Sequence, residues 1–140
     1  MKRKLSARST STKLCLTIIF VRRFERCLRF YQRAFDLKLV RLYKEKEHPR
    51  WAEFQLGDMR LALHAGYRGR PYRGRNPLAI HFRVKNIEQT VERIKRYGGK
   101  VIVPPREIDF RPAELAIARE GVFADPDGNE FDFQQLIREF

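Results

Sequence analysis

LAIHFRVKNIEQTVERIKRYGGKVI, residues 78–102, changes period twice within one short stretch. Over Leu78 to Val84, the apolar residues Leu78, Ile80, Phe82 and Val84 alternate with Ala79, His81 and Arg83, the period of two of a strand. From Ile87 to Tyr97, Ile87, Val91 and Ile94 fall on one face of a helix. Gly98-Gly99 supplies a helix C-terminus, because glycine takes the left-handed conformation there without strain. Lys100 to Val103 reads as extended again, and Pro104-Pro105 is expected to break it. The stretch therefore opens a β-α-β unit.

The same order stands upstream. Leu14 to Val21 (LCLTIIFV) reads as a buried strand, and Phe24, Cys27, Leu28, Tyr31 and Phe35 follow as a helix face. Three extended segments come next: Leu37 to Tyr43, Trp51 to Leu56 and Met59 to His64. Gly57-Asp58 between the last two predicts a hairpin turn of the primed type II kind. Downstream, Leu115 to Ala124 and Glu130 to Gln134 are strands joined by Asp125-Pro-Asp-Gly128. One βαβββ unit is thus written twice, as module one (13–64) and module two (78–135), with an Arg-rich linker at 65–77. Neither half holds enough apolar residues for its own core, so residues 13–140 are expected to fold as a single α+β domain.

The chain has 140 residues, enough to bury roughly two-thirds of its unfolded surface. Lys plus Arg outnumber Asp plus Glu by 30 to 17, a net charge of +13 that favours anionic partners without choosing among them. Residues 1–12 (MKRKLSARSTST) read as a basic flexible tail lacking the apolar stretch of a secretory signal. Cys15 and Cys27 both sit in apolar patterns and are expected to be buried thiols, which points to a reducing, cytoplasmic setting. No apolar run is long enough to span a membrane.

Three segments resemble one family. FYQRAFDLKLV (30–40), LAIHFRVKNIEQTVERIKRYGGKVI (78–102) and VFADPDGNEFDFQQ (122–135) resemble, at these spacings, the vicinal oxygen chelate superfamily of glyoxalases, bleomycin-resistance proteins and extradiol dioxygenases. The resemblance implies two βαβββ modules curling into a cup-like mixed sheet with helices on the outer face, commonly completed in a homodimer. It also implies metal ligands in the cup, which map onto Leu16, Ala62, Ala79 and Asp132 here. Only Asp132 can ligate, and one carboxylate does not hold a transition ion. Asp36 stands where the family usually has Gly, and Arg23 where it usually has an acidic helix-start residue.

Strand alternation places Trp51, Glu53, Arg60, His64, His81, Arg83, Asp132 and Gln134 toward the cup, opposite an apolar wall from Leu16, Ile18 and Phe20. Trp51 reads equally as a pocket aromatic or a strand-edge core residue. The mixture suits a small-molecule pocket, and Arg60, Arg83 and the linker favour an anionic ligand. The expected function is therefore binding of a small molecule without the family's usual metal and with no cofactor, leaning against catalysis. One rival is a glyoxalase- or dioxygenase-type metalloenzyme, a lyase, transferase or dioxygenase, with a relocated His64, His81 and Asp132 site. The other is a basic adaptor for nucleic acid or protein, suggested by linker arginines interleaved with Tyr67 and Tyr72 and less favoured than a solvated loop.

Overall fold

A computed structural model describes residues 12–44, 50–73, 78–113 and 115–140; apart from Thr12, the expected tail lies outside them. Module one runs β1 (Leu16–Phe20), α1 (Phe24–Ala34), β2 (Lys38–Tyr43), β3 (Trp51–Leu56) and β4 (Met59–His64). Module two runs β5 (His81–Arg83), α2 (Ile87–Arg96), β6 (Lys100–Asp109), β7 (Ala116–Ala124) and β8 (Glu130–Glu139). The sheets have equivalent orders, β1-β4-β3-β2 and β5-β8-β7-β6, each with one parallel pair beside antiparallel ones. The fold is the expected α+β one, with mixed sheets that curl without closing.

Local chemistry explains the turns. Gly57 has φ +56° between the directly paired Leu56 and Met59, as a primed type II turn requires. Gly98 has φ +93° at the end of α2, and the Gly99 amide donates to the Ile94 carbonyl at 2.9 Å. Asp36 takes φ +52° in the position where glycine was expected, so an L side chain occupies left-handed backbone. Asp36→Gly is expected to raise the unfolding free energy by up to about 1 kcal/mol, read from the urea midpoint. A lower midpoint would contradict it.

Arg23 at the start of α1 makes no side-chain cap. The carboxylate of Asp127, in the other module's β7–β8 turn, accepts from the Arg22 and Arg23 amides instead, the latter at 3.2 Å. A cap missing from the local sequence is thus supplied across the modules, joining them where α1 begins.

The core is shared. Phe24, Phe30 and Tyr31 of α1 are buried with Phe54, Leu63, Ile87, Ile94, Phe123 and Phe133 in one cluster.

Four expectations are corrected. β6 continues through Pro104-Pro105 because it is an edge strand, where the lost donors face no neighbour, and its pairing shifts register between Val103 and Arg106. Gly121 makes room for that shift, since a Cβ there would lie 2.5 Å from the Val103 carbonyl oxygen. The apolar run of β1 is not buried on both sides: it too is an edge strand, with Ile19 buried under α1 while Leu16, Ile18 and Phe20 remain over a third exposed. Cys15, just before β1, is exposed, and only Cys27 on the inner face of α1 is buried. Leu78 is 79% exposed because β5 begins only at His81, leaving it ahead of the sheet.

Candidate functional site

The polar residues assigned to the cup separate into two groups, one per sheet. On β3 and β4, Glu53 is buried and is the hub. It accepts from Trp51 Nε1 at 2.9 Å and Arg60 Nη1 at 2.8 Å, and Arg41 lies 3.5 Å away. Burial alone would raise the Glu53 pKa, but the hydrogen bonds from Arg60 and Trp51 and the two guanidinium charges hold it below the usual value. This carboxylate stays ionised and fully occupied. His64 Nδ1 lies 2.7 Å from the Ala65 carbonyl oxygen, with its ring against Phe20 and Trp51. Trp51 is therefore tied to both polar neighbours rather than free.

The second group lies on β5, β7 and β8, because pairing sets His81 beside Asp132 and Glu120 beside Gln134. His81 sits between two carboxylates: Nδ1 is 3.2 Å from Glu120 Oε1 and Nε2 is 3.3 Å from Asp132 Oδ2. Glu120 has a raised pKa, first from burial and then from its contact with the Asp132 carboxyl, opposed by His81. Next to them the Arg83 guanidinium donates twice to Gln134 Oε1, at 3.1 and 2.9 Å, and meets no carboxylate among the described residues. A cavity of about 420 Å³ opens there, lined by His81, Arg83, Phe110, Glu120 and Gln134.

Glu120 had no place in the sequence-based site. Once the Asp125–Asn129 turn is located, counting back along the hairpin puts Glu120 opposite Gln134, on the face Asp132 occupies. That was the available signal. The rival metal set is divided: His81 and Asp132 meet, whereas His64 stays on the other sheet among aromatic rings. Of the positions where the family resemblance implies ligands, Leu16, Ala62 and Ala79 offer no donor atom. Asp132 alone does not fit that ion's needs.

A larger groove of about 870 Å³ runs between β1, the linker and the chain entering β5. Leu16, Ile18 and Phe20 form one wall, and Tyr72, Leu78, Ile80 and Phe131 another, with Arg70 and Arg73 also lining it. The linker aromatics are engaged: Tyr72 stacks on Phe131 with centroids 5.5 Å apart, and Tyr67 leans on Phe20 at 6.2 Å. Arg73 pairs with Glu130 at 3.2 Å. Aromatics held this way do not offer the open stacking platform a single strand needs, and nothing here supports a nucleic-acid partner.

These two repeated modules and their sheet orders define a cup-forming α+β fold, and the family model of the Glyoxalase/Bleomycin resistance protein/Dioxygenase superfamily matches residues 13–133. The chain belongs to that superfamily. Solved structures share the fold. A glyoxalase/bleomycin resistance protein/dioxygenase family enzyme from Burkholderia phytofirmans is 18% identical with a TM-score of 0.65, covering 90% of this chain and all of its own. The fosfomycin resistance protein FosX from Mesorhizobium loti is 23% identical with a TM-score of 0.60, covering 91% of this chain and 93% of its own. A glyoxalase I mutant from Zea mays is 21% identical with a TM-score of 0.67; 86% of this chain corresponds to 45% of that one. No curated protein matches the chain. Among the described residues, no helix is long and apolar enough to cross a membrane.

Proposed function

We propose that the protein binds a small molecule with an apolar body and an anionic head in the groove between β1 and the linker, without using the family's usual metal positions. The groove is the observation that carries this reading. Its size falls in the range of ligand pockets, and its lining is mostly apolar with a few polar groups. Leu16, Ile18 and Phe20 would otherwise leave apolar surface in water. Arg70 at the linker side, with Arg73 beside it in its pair with Glu130, gives the site its preference for negative charge. Of the polar residues of β5 and β8, His81, Arg83 and Gln134 then line a second, smaller recess rather than the main ligand wall. A homodimer belongs to the same reading, and sedimentation equilibrium measures it.

Straight-chain carboxylates of increasing length, titrated calorimetrically, test the proposal. Each added methylene is expected to strengthen binding by up to about 0.8 kcal/mol until the groove is full. The double substitution Arg70→Ala with Arg73→Ala should weaken binding about tenfold or more, the scale of charge-assisted hydrogen bonds. Ile18→Asp should abolish it. Equal affinity for a neutral alcohol of the same length, or unchanged binding by the Ile18→Asp protein, would defeat the reading.

A further inference from the structure

We infer that the outer face of α1 is a docking surface for an acidic helix of another protein, held by Arg26, Arg29 and Arg33. The three arginines fall within about 60° of one another around the helix axis, opposite the buried side formed by Phe24, Leu28 and Tyr31. All three are exposed, and none of their guanidinium groups has a hydrogen bond, ion pair or ring contact among the described residues. The acid at the start of the helix does not balance them, because Glu25 pairs with Lys44 at 3.1 Å and Arg50 at 3.8 Å. The face therefore carries three uncompensated positive charges along about 10.5 Å of helix.

Nothing in the fold asks for this arrangement. Arg29 stands three residues after Arg26 and four before Arg33, spacings at which like charges destabilise a helix. Only Arg33, in the last turn, is favoured by the helix dipole. Module two supplies the comparison within the same chain. Counting from the two helix starts, Phe24 and Ile87, the positions of Arg26, Arg29 and Arg33 are Gln89, Glu92 and Arg96 on α2. Glu92 stands four before Arg96, the order of charges that supports a helix. The outer stripe is thus mixed in one module and wholly basic in the other. A partner helix with carboxylates at i, i+3 and i+7 repeats the rises between Arg26, Arg29 and Arg33, so each guanidinium fork meets one carboxylate. Duplex nucleic acid fits less well, since α2 packs alongside α1 and keeps it from entering a major groove about 12 Å wide. A lipid surface also fits less well, because α1 turns its apolar side into the core and has none to insert. The surface shares no residue with the groove at β1 and is independent of the ligand proposed there.

The test titrates the full-length protein at low ionic strength with a capped, alanine-rich helical peptide carrying Glu at i, i+3 and i+7, followed through the arginine Nε–Hε NMR signals. Saturable shifts at Arg26, Arg29 and Arg33 are expected, with a Kd of about millimolar or tighter that weakens as salt is added. Arg29→Glu, which gives module one the charge module two has at Glu92, should lower the affinity about fivefold or more. The same substitution should raise the urea midpoint by relieving the repulsion along α1, so lost binding is not lost folding. Arg106→Ala, which removes an exposed charge on β6, should leave the affinity within about twofold. Equal binding of a scrambled peptide of the same composition, or an Arg106→Ala loss as large as that of Arg29→Glu, would overturn the assignment. So would a larger Arg29→Glu effect on duplex DNA or phosphatidylglycerol vesicles than on the peptide.

Discussion

Replacing Asp125 with alanine is expected to lower the unfolding free energy by about 3 kcal/mol or more, because it orphans several buried donors at once. Asp125 is 3% exposed in the turn between β7 and β8. Its carboxylate accepts from Tyr31 Oη at 2.8 Å, from the Asp127 and Asn129 amides at 2.9 Å each, and from Asn129 Nδ2 at 3.1 Å. Tyr31 is wholly buried on α1, so its hydroxyl has no water to turn to. Each buried donor left unpaired costs about 1–3 kcal/mol, and the turn that presents Asp127 to the start of α1 would loosen as well. Asp125→Asn keeps the shape and one acceptor oxygen and should cost less. Urea unfolding followed by circular dichroism reads both, and an alanine variant within about 1 kcal/mol of wild type would contradict the argument.

The same residue sets a pH dependence. Burial is the largest influence on Asp125 and raises its pKa; hydrogen bonds from Tyr31 and Asn129 pull the other way, and the Asp127 charge adds to the rise. The folded protein therefore holds this proton more tightly than the unfolded chain. Its contribution to stability is fully present below the ordinary aspartate value of 3.8 and is lost as pH rises through the raised folded value. The difference in stability between wild type and Asp125→Asn should accordingly shift against wild type as pH is raised across the acid range. A difference that is flat with pH would place the shift elsewhere.

Much of this arrangement was legible locally, and what escaped was non-local. Trp51 to Leu56 and Met59 to His64 match β3 and β4 residue for residue, because alternation and a two-residue glycine turn are both short-range signals. Pro104-Pro105 misled because a proline's effect depends on whether a strand lies on its donor side, which sheet order decides. β1 misled for the same reason: an apolar run looks alike in the middle of a sheet and at an edge that lines a groove. In the candidate site, His81 and Asp132 face the same side by alternation alone. Glu120 required the pairing of β7 with β8, and His64 faces the inner side of a different sheet from His81.

Phe123→Ala should be the most disruptive single core change, at about 3–5 kcal/mol. Phe123 lies on β7 of module two and is fully buried. Its ring centroid is 5.8 Å from Phe30 and 4.8 Å from Phe35, both contributed by module one, and 5.7 Å from Phe82 and Phe133 of its own module. Removing the ring leaves a cavity at the seam that neighbouring aromatics are too rigid to fill, so transfer and cavity penalties add. The position of the loss also matters. If the modules share one core, the variant should unfold in a single transition at lower urea, with secondary-structure and tryptophan signals coincident, since Trp51 reports from module one. Were the modules separate cores, the damage would stay in module two, and Trp51 fluorescence would keep the wild-type midpoint while the helical signal split. Coincident, equally shifted transitions are the outcome that the contacts of Phe123 with Phe30 and Phe35 require.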